Sequence, residues 1–257
     1  LRQLKQGSDA VQRVGAAREV IGNFASAQLR FMFDGNAGEL ATMAERLRIA
    51  LAAAAGASVG HRAAVAEIAT ATQHLDALAL TTTRLMELGV AADEARTRLY
   101  RGGQRMTRTT ERLVKALEGL ADGQGYADGL ERSLLATQVT NWRFLATRDA
   151  AAPGQFRAAA DRYEFALNTL GAMEGEGIRR MTGEVQVLLG EYRADFTAAS
   201  VAILAQAELY RNTAEPQMAA TQAALAAAAG TLTQAFAQTE VAAHDTLDAS
   251  RQMGLGL

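Results

Sequence analysis

The sequence predicts an all-α fold: six helices forming two stacked four-helix bundles, with two long helices spanning both. Three observations carry the prediction. Ala, Leu, Arg, Glu and Gln, the strongest helix formers, fill the long segments, and β-branched runs are scarce. Apolar residues recur at helical spacing, and in two segments every seventh residue continues one seam over many turns. The order short helix, short helix, long helix occurs twice, with sequence echoes between the two halves.

The first helix runs from Leu1 to about Phe33, with Leu4, Val11, Val14, Ile21, Phe24, Phe31 and Met32 on one face. Asp34-Gly35-Asn36 breaks it, because Gly and Asn accept turn geometries. A shorter second helix covers about Ala37 to Ala55, and Gly56-Ala57-Ser58-Val59-Gly60 ends it. The third extends from about His61 to Leu120, with Leu78, Leu85, Ala92, Leu99, Met106, Leu113 and Leu120 seven apart. Such a seam needs a continuous helix packed along another. At 1.5 Å per residue it reaches about 90 Å, taller than one compact bundle.

Asp122-Gly123-Gln124-Gly125 is the next break. The fourth helix covers about Tyr126 to Thr147, a loop with Pro153 follows, and the fifth covers about Gln155 to Leu170. The turn Gly171 to Gly177 carries Glu174-Gly175-Glu176 as loop charges. The sixth helix runs from about Ile178 to near Arg251. Its seam is Leu189, Phe196, Ile203, Tyr210, then Met218, Leu225 and Leu232, one residue out of step at Pro216. Proline removes a backbone hydrogen bond and pushes on the preceding turn, so a kink or bulge is predicted within about one turn of Pro216, with the helix resuming beyond it.

Leu99-Tyr100-Arg101, followed by Gly102-Gly103, returns as Leu209-Tyr210-Arg211, followed by Asn212 and Pro216. Arg30-Phe31 returns as Arg143-Phe144, and residues 44–51 echo 160–167. The offsets of 110, 113 and 116 are those of an internal duplication whose loops changed length. The paired glycines read as a weak point that allows a bend. Short loops make neighbouring helices antiparallel. Threading six helices of these lengths gives a lower bundle of about 1–90 plus 216–257 and an upper bundle of about 91–215, with both termini at the bottom. Tyr100 and Tyr210 then fall near mid-height, and junction packing is the favoured reading of the echoed triplets over ligand contact.

Composition excludes several classes. A net charge of −2 over 257 residues gives no electrostatic reason to expect nucleic acid. The absence of cysteine excludes disulfides and thiolate metal sites. A chain starting at Leu1 reads as a piece of a longer protein, and no signal peptide is visible. The uncharged run Met218 to Gln238 has the length of a membrane span, but Ala, Thr and Gln suit a bundle helix better. His61, His74 and His244 are scattered, and no helical spacing suits a metal. Gly-x-Ser-x-Gly and phosphate-binding loops are absent. No catalytic residue, no metal and no cofactor is expected, and the chain is not read as an enzyme.

Arginines are the informative polar residues, since a guanidinium grips a carboxylate through two parallel hydrogen bonds. In the lower bundle Arg18 and Asn23 are candidates to face Arg46 and Gln73. In the upper bundle Gln138, Asn141 and Trp142 are candidates to face Arg162 and Tyr163, with Tyr192 and Arg193 at similar height. The upper set is preferred because it gathers the only tryptophan and two tyrosines. An inward Arg162 needs an anion: a carboxylate ligand, or an acid from another helix such as Glu111 or Glu191.

Ala16-Ala17-Arg18-Glu19 with Phe31-Met32-Phe33-Asp34-Gly35, together with the six-helix layout, resembles the helical bimodular sensor domain of bacterial methyl-accepting chemotaxis receptors. The resemblance implies a periplasmic sensor whose two ends continue into transmembrane helices of an inner-membrane receptor. It makes the lower bundle membrane-proximal and the upper one membrane-distal. It also implies small organic acids as ligands, a pocket in either bundle, and a homodimer in the full-length receptor. Two alternatives stand beside it: the sensor domain of a histidine kinase, and a structural or export protein of long helices.

Overall fold

The computed structural model describes residues 2–35, 37–120, 123–172 and 175–254, and every regular element in them is helical. Helix α1 spans Arg2–Asp34, α2 Ala37–Ala57, α3 Arg62–Leu117, α4 Gly123–Thr147, α5 Ala152–Gly171 and α6 Glu176–Leu209. A π-helical turn, Tyr210–Ala214, joins α6 to α7, Glu215–Gly254. Counting α6, the π turn and α7 as one interrupted helix, six helices and no strand are found among the described residues. Leu1 and the expected turn residues Asn36, Asp122 and Glu174 lie outside them.

Three boundaries differ from expectation. Helix α3 stops at Leu117, so Leu120 lies past its end and is exposed instead of closing the seam. Helix α4 takes in Gly123, Gln124 and Gly125, which were expected to form a loop. Gly123 is needed there for close approach: a Cβ on it would stand 1.7 Å from the Leu117 carbonyl oxygen, so only glycine fits. Helix α5 starts early enough to hold Pro153 in its first turn, where a missing N–H removes no helical bond.

The expected distortion before Pro216 is the π turn. The Glu215 N–H bonds the Tyr210 carbonyl, five residues back rather than four. The extra residue accounts for the slip in the seam. Phe196, Ile203, Met218, Leu225 and Leu232 are all buried, although the step from Ile203 to Met218 is one longer than two heptads. A regular helix would rotate everything beyond it by about 100° per extra residue.

The chain divides into two compact units. The first holds residues 1–86 and 208–257, the second 87–207, so α3 contributes to both. In the first, Val14, Ile21 and Phe24 of α1, Leu40, Leu47 and Leu51 of α2, Ile68, Leu78 and Leu85 of α3, and Met218, Leu225 and Leu232 of α7 share one core. Four helical segments thus enclose it. Among the described residues no helix is long and apolar enough to cross a membrane. The uncharged run of α7 is instead seated in this core.

The second unit encloses its own core with the end of α3 and with α4, α5 and α6. Arg98, Arg105 and Arg112, seven apart on α3, pair with Asp195, Glu191 and Glu184 of α6 at 2.9, 3.1 and 3.6 Å. The acids run backwards as the arginines run forwards, which fixes an antiparallel register. Each exposed pair contributes a few tenths of a kcal/mol at most.

Helices α2 and α5 bury corresponding residues. At the offset of 116, Leu40, Leu47, Leu51 and Ala54 match Phe156, Tyr163, Leu167 and Leu170, all buried.

Candidate functional site

The second unit is organised around Tyr192 of α6. Its ring packs against Phe156 at 5.8 Å, beside a stack of Phe156 on Phe196 at 3.7 Å and the Phe144–Phe196 edge contact at 5.4 Å. Across from it stand Gly102 and Gly103. A Cβ on Gly103 would meet Tyr192 Cε2 at 3.4 Å. The expected weak point is therefore a seat for a ring, and α3 runs through it as continuous helix.

Asn141, 1% exposed, donates from Nδ2 to the Tyr192 hydroxyl at 2.7 Å, which leaves the hydroxyl's own proton to donate elsewhere. The Asn141 Oδ1 atom is buried without a partner. Burial pushes the Tyr192 phenol up to about 12, against the opposing effect of the Asn141 hydrogen bond, so the group is neutral at physiological pH.

Tyr192 forms the back of a cleft of about 410 Å³ between α3 and α4. Tyr100 and Trp142 meet edge to face at 6.4 Å on its rim and are each about half exposed. Gln138 reaches across from α4 and donates to Thr107 Oγ1 at 2.8 Å. Gln104, Arg108 and Glu111 of α3 complete the polar lining. Neither Arg108 nor Glu111 has an ion-pair or hydrogen-bond partner among the described residues.

Of the upper set, Gln138, Trp142 and Tyr192 come together in this cleft and Asn141 supports it from behind. The others do not join them. Tyr163 is fully buried, hydrogen-bonded to Thr110, and burial raises its phenol strongly. Arg162 is exposed and donates from Nε to the Ala158 carbonyl of its own helix at 3.2 Å. It is not turned inward because it precedes Tyr163, and neighbouring residues on a helix point about 100° apart. Arg193 is the half-buried arginine, held by Asp161 at 2.8 Å and Glu164 at 3.0 Å. Glu191, a considered partner for Arg162, pairs with Arg105 instead.

The lower set does not converge. Arg18, Asn23, Arg46 and Gln73 are all exposed. Arg18 follows buried Ala17, Asn23 precedes Phe24, Arg46 precedes Leu47, and Gln73 lies two residues from Ala71 and Leu75. Each is thereby rotated off the core stripe. Arg18 lines a shallow groove with Gly15, Glu19 and Gln222, without the other three.

The buried amide and hydroxyl occur twice. In the first unit Gln28 of α1, fully buried, donates from Nε2 to Thr82 Oγ1 of α3 at 3.0 Å, and its Oε1 atom has no partner. Shifted by 113, Gln28 becomes Asn141; shifted by 110, Thr82 becomes Tyr192. These are the offsets of the Arg-Phe and Leu-Tyr-Arg echoes, so the duplication extends to a buried polar pair that sequence reasoning missed. The offsets, applied to Asn141 and Tyr192, would have found it. The same shifts put Ala25, Leu29 and Thr82 where the second unit has Gln138, Trp142 and Tyr192.

No group of three or more metal-ligating residues occurs among the described residues. No known protein family matches the sequence, and no curated protein is similar to it.

Proposed function

We propose that the chain is the extracytoplasmic ligand-binding sensor domain of a transmembrane chemoreceptor, built of two four-helix units, its ends continuing into membrane helices. The observation that carries this reading is the second-unit cleft. It joins an aromatic rim, Tyr100 and Trp142, to neutral hydrogen-bonding groups and an arginine with no acid of its own. Bundle proteins hold small ligands between facing helices in this way. The two units, each with its own core, and the long helices that contribute to both support the resemblance to helical bimodular sensors. Ligand binding belongs to the second unit, because the first has alanine, leucine and threonine at the corresponding positions. The full-length receptor is then a homodimer carrying its signal through α1 and α7.

The anchor for an anionic group is Arg108, not Arg162. A thermal-shift screen with small mono- and dicarboxylates tests the reading. Expected is a rise in Tm that Arg108→Gln abolishes and Arg162→Ala leaves intact. A coding sequence without hydrophobic spans on either side of this region would refute the receptor assignment.

A further inference from the structure

We infer that the second-unit cleft takes a zwitterion, an α-amino acid or a compact relative with one carboxylate and one ammonium group. The inference rests on the cleft being the ligand site of the proposed sensor. Arg108 receives the carboxylate. Glu111 and the faces of Trp142 and Tyr100 receive the ammonium group.

The charges of the lining carry this. Arg105, Arg108 and Arg112 follow one another along α3, but Glu191 and Glu184 neutralise the outer two. Arg108 alone of the three is left without an acid, and Glu111, one turn further, is left without a base. Side chains three apart on a helix have Cβ atoms roughly 5–6 Å apart. The two stand close enough to be bridged by one small molecule, and they are not paired with each other. The other lining residues carry no formal charge.

A plain carboxylate would satisfy Arg108 and bring a second negative charge to within a turn of Glu111. A plain amine would repel Arg108 in the same way. Only a ligand of both signs pairs with both side chains and opposes neither. The aromatic rim fits the same assignment, because the negative faces of tryptophan and tyrosine attract an ammonium group and do nothing for a carboxylate. The pinned Gln138 and the neutral Tyr192 add directional contacts without adding charge.

The test is titration calorimetry on the 257-residue chain, with Trp142 fluorescence as a second signal. The proteinogenic amino acids are each compared with the corresponding desamino acid and decarboxylated amine. At least one amino acid is expected to bind tenfold or more tighter than both of its partial analogues. Arg108→Gln is expected to abolish amino-acid binding. Glu111→Gln is expected to erase the preference over the desamino acid while carboxylate binding survives. Both positions are exposed, and circular dichroism melts check that the variants remain folded. Equal binding of a desamino acid and its amino acid, unchanged in Glu111→Gln, overturns the zwitterion and leaves an organic-acid sensor. Failure of every amino acid, acid and amine to bind the parent chain overturns both.

Discussion

Tyr192→Phe isolates the polar pair at the centre of the second unit. The ring, its tilted contact with Phe156 and its seat on Gly102 and Gly103 are retained. What disappears is the one side-chain partner of Asn141 among the described residues, and the Oδ1 atom of Asn141 is already unpaired there. A buried amide then has neither end hydrogen-bonded, which costs about 1–3 kcal/mol. Replacing both partners by apolar groups removes the desolvation cost with the bond, so Tyr192→Phe/Asn141→Leu is expected to recover most of the loss. The coupling energy should be about 1 kcal/mol or more. Urea unfolding followed by Trp142 fluorescence is the assay, because the sole tryptophan lies in the second unit and reports on it alone. The midpoint should fall in the single variant at unchanged slope. Additive losses in the double variant, or a Tyr192→Phe midpoint equal to the parent's, would refute the account. The Gln28–Thr82 pair should behave likewise, read by circular dichroism.

Gly123→Ala is expected to destabilise by roughly 2 kcal/mol or more, since its Cβ would overlap the Leu117 carbonyl; a thermal melt within 1 °C of the parent would contradict this. Deleting Asn212 from the π turn should leave a folded protein, because Ile203 and Met218 then stand two heptads apart, whereas inserting one alanine between Ala226 and Ala227 should turn Leu232 out by about 100° and cause a cooperative loss of stability on melting. Tyr192 has a folded-state pKa raised from 10.0 to about 12, so its contribution of about 2–3 kcal/mol is complete below pH 10 and is lost as pH rises towards 12. Tyrosinate absorbance and stability, measured together from pH 9 to 12.5, should show this phenol ionising only as the fold gives way.

Much of the fold was legible because it depends on period. A seam of seven specifies a long helix packed along another, and the slip between Tyr210 and Met218 located an extra residue without any structure. The glycines were harder. Gly102-Gly103 and Gly123 look alike as helix breakers, yet the pair lies inside α3 and Gly123 begins α4, and each is closely approached, by a ring in one case and a carbonyl in the other. That depends on tertiary contact.

The site was legible in part. Trp142, Gln138 and Tyr192 converge, but the choice among arginines failed for a reason present in the sequence. If Tyr163 is core, Arg162 beside it faces away; the same holds for Arg46 beside Leu47. Which arginine keeps an acid and which does not was out of reach, because it depends on the register of α3 against α6. One residue of slip would reassign Arg105, Arg108 and Arg112 among Glu184 and Glu191.

The discontinuity of the first unit has a consequence for synthesis. Residues 87–207 supply the whole of the second core, so it can close as soon as α6 has left the ribosome. The first core cannot. Its α1, α2 and early α3 are made first, but the wall that covers Leu78, Leu85 and Leu47 comes from residues after 208. For more than a hundred residues of elongation, the apolar faces of these three helices lack the wall that α7 supplies. At about 5–20 residues per second the interval lasts roughly 6–24 s. Although α1 and α2 precede every residue of the second unit, their core is the later of the two to be closed.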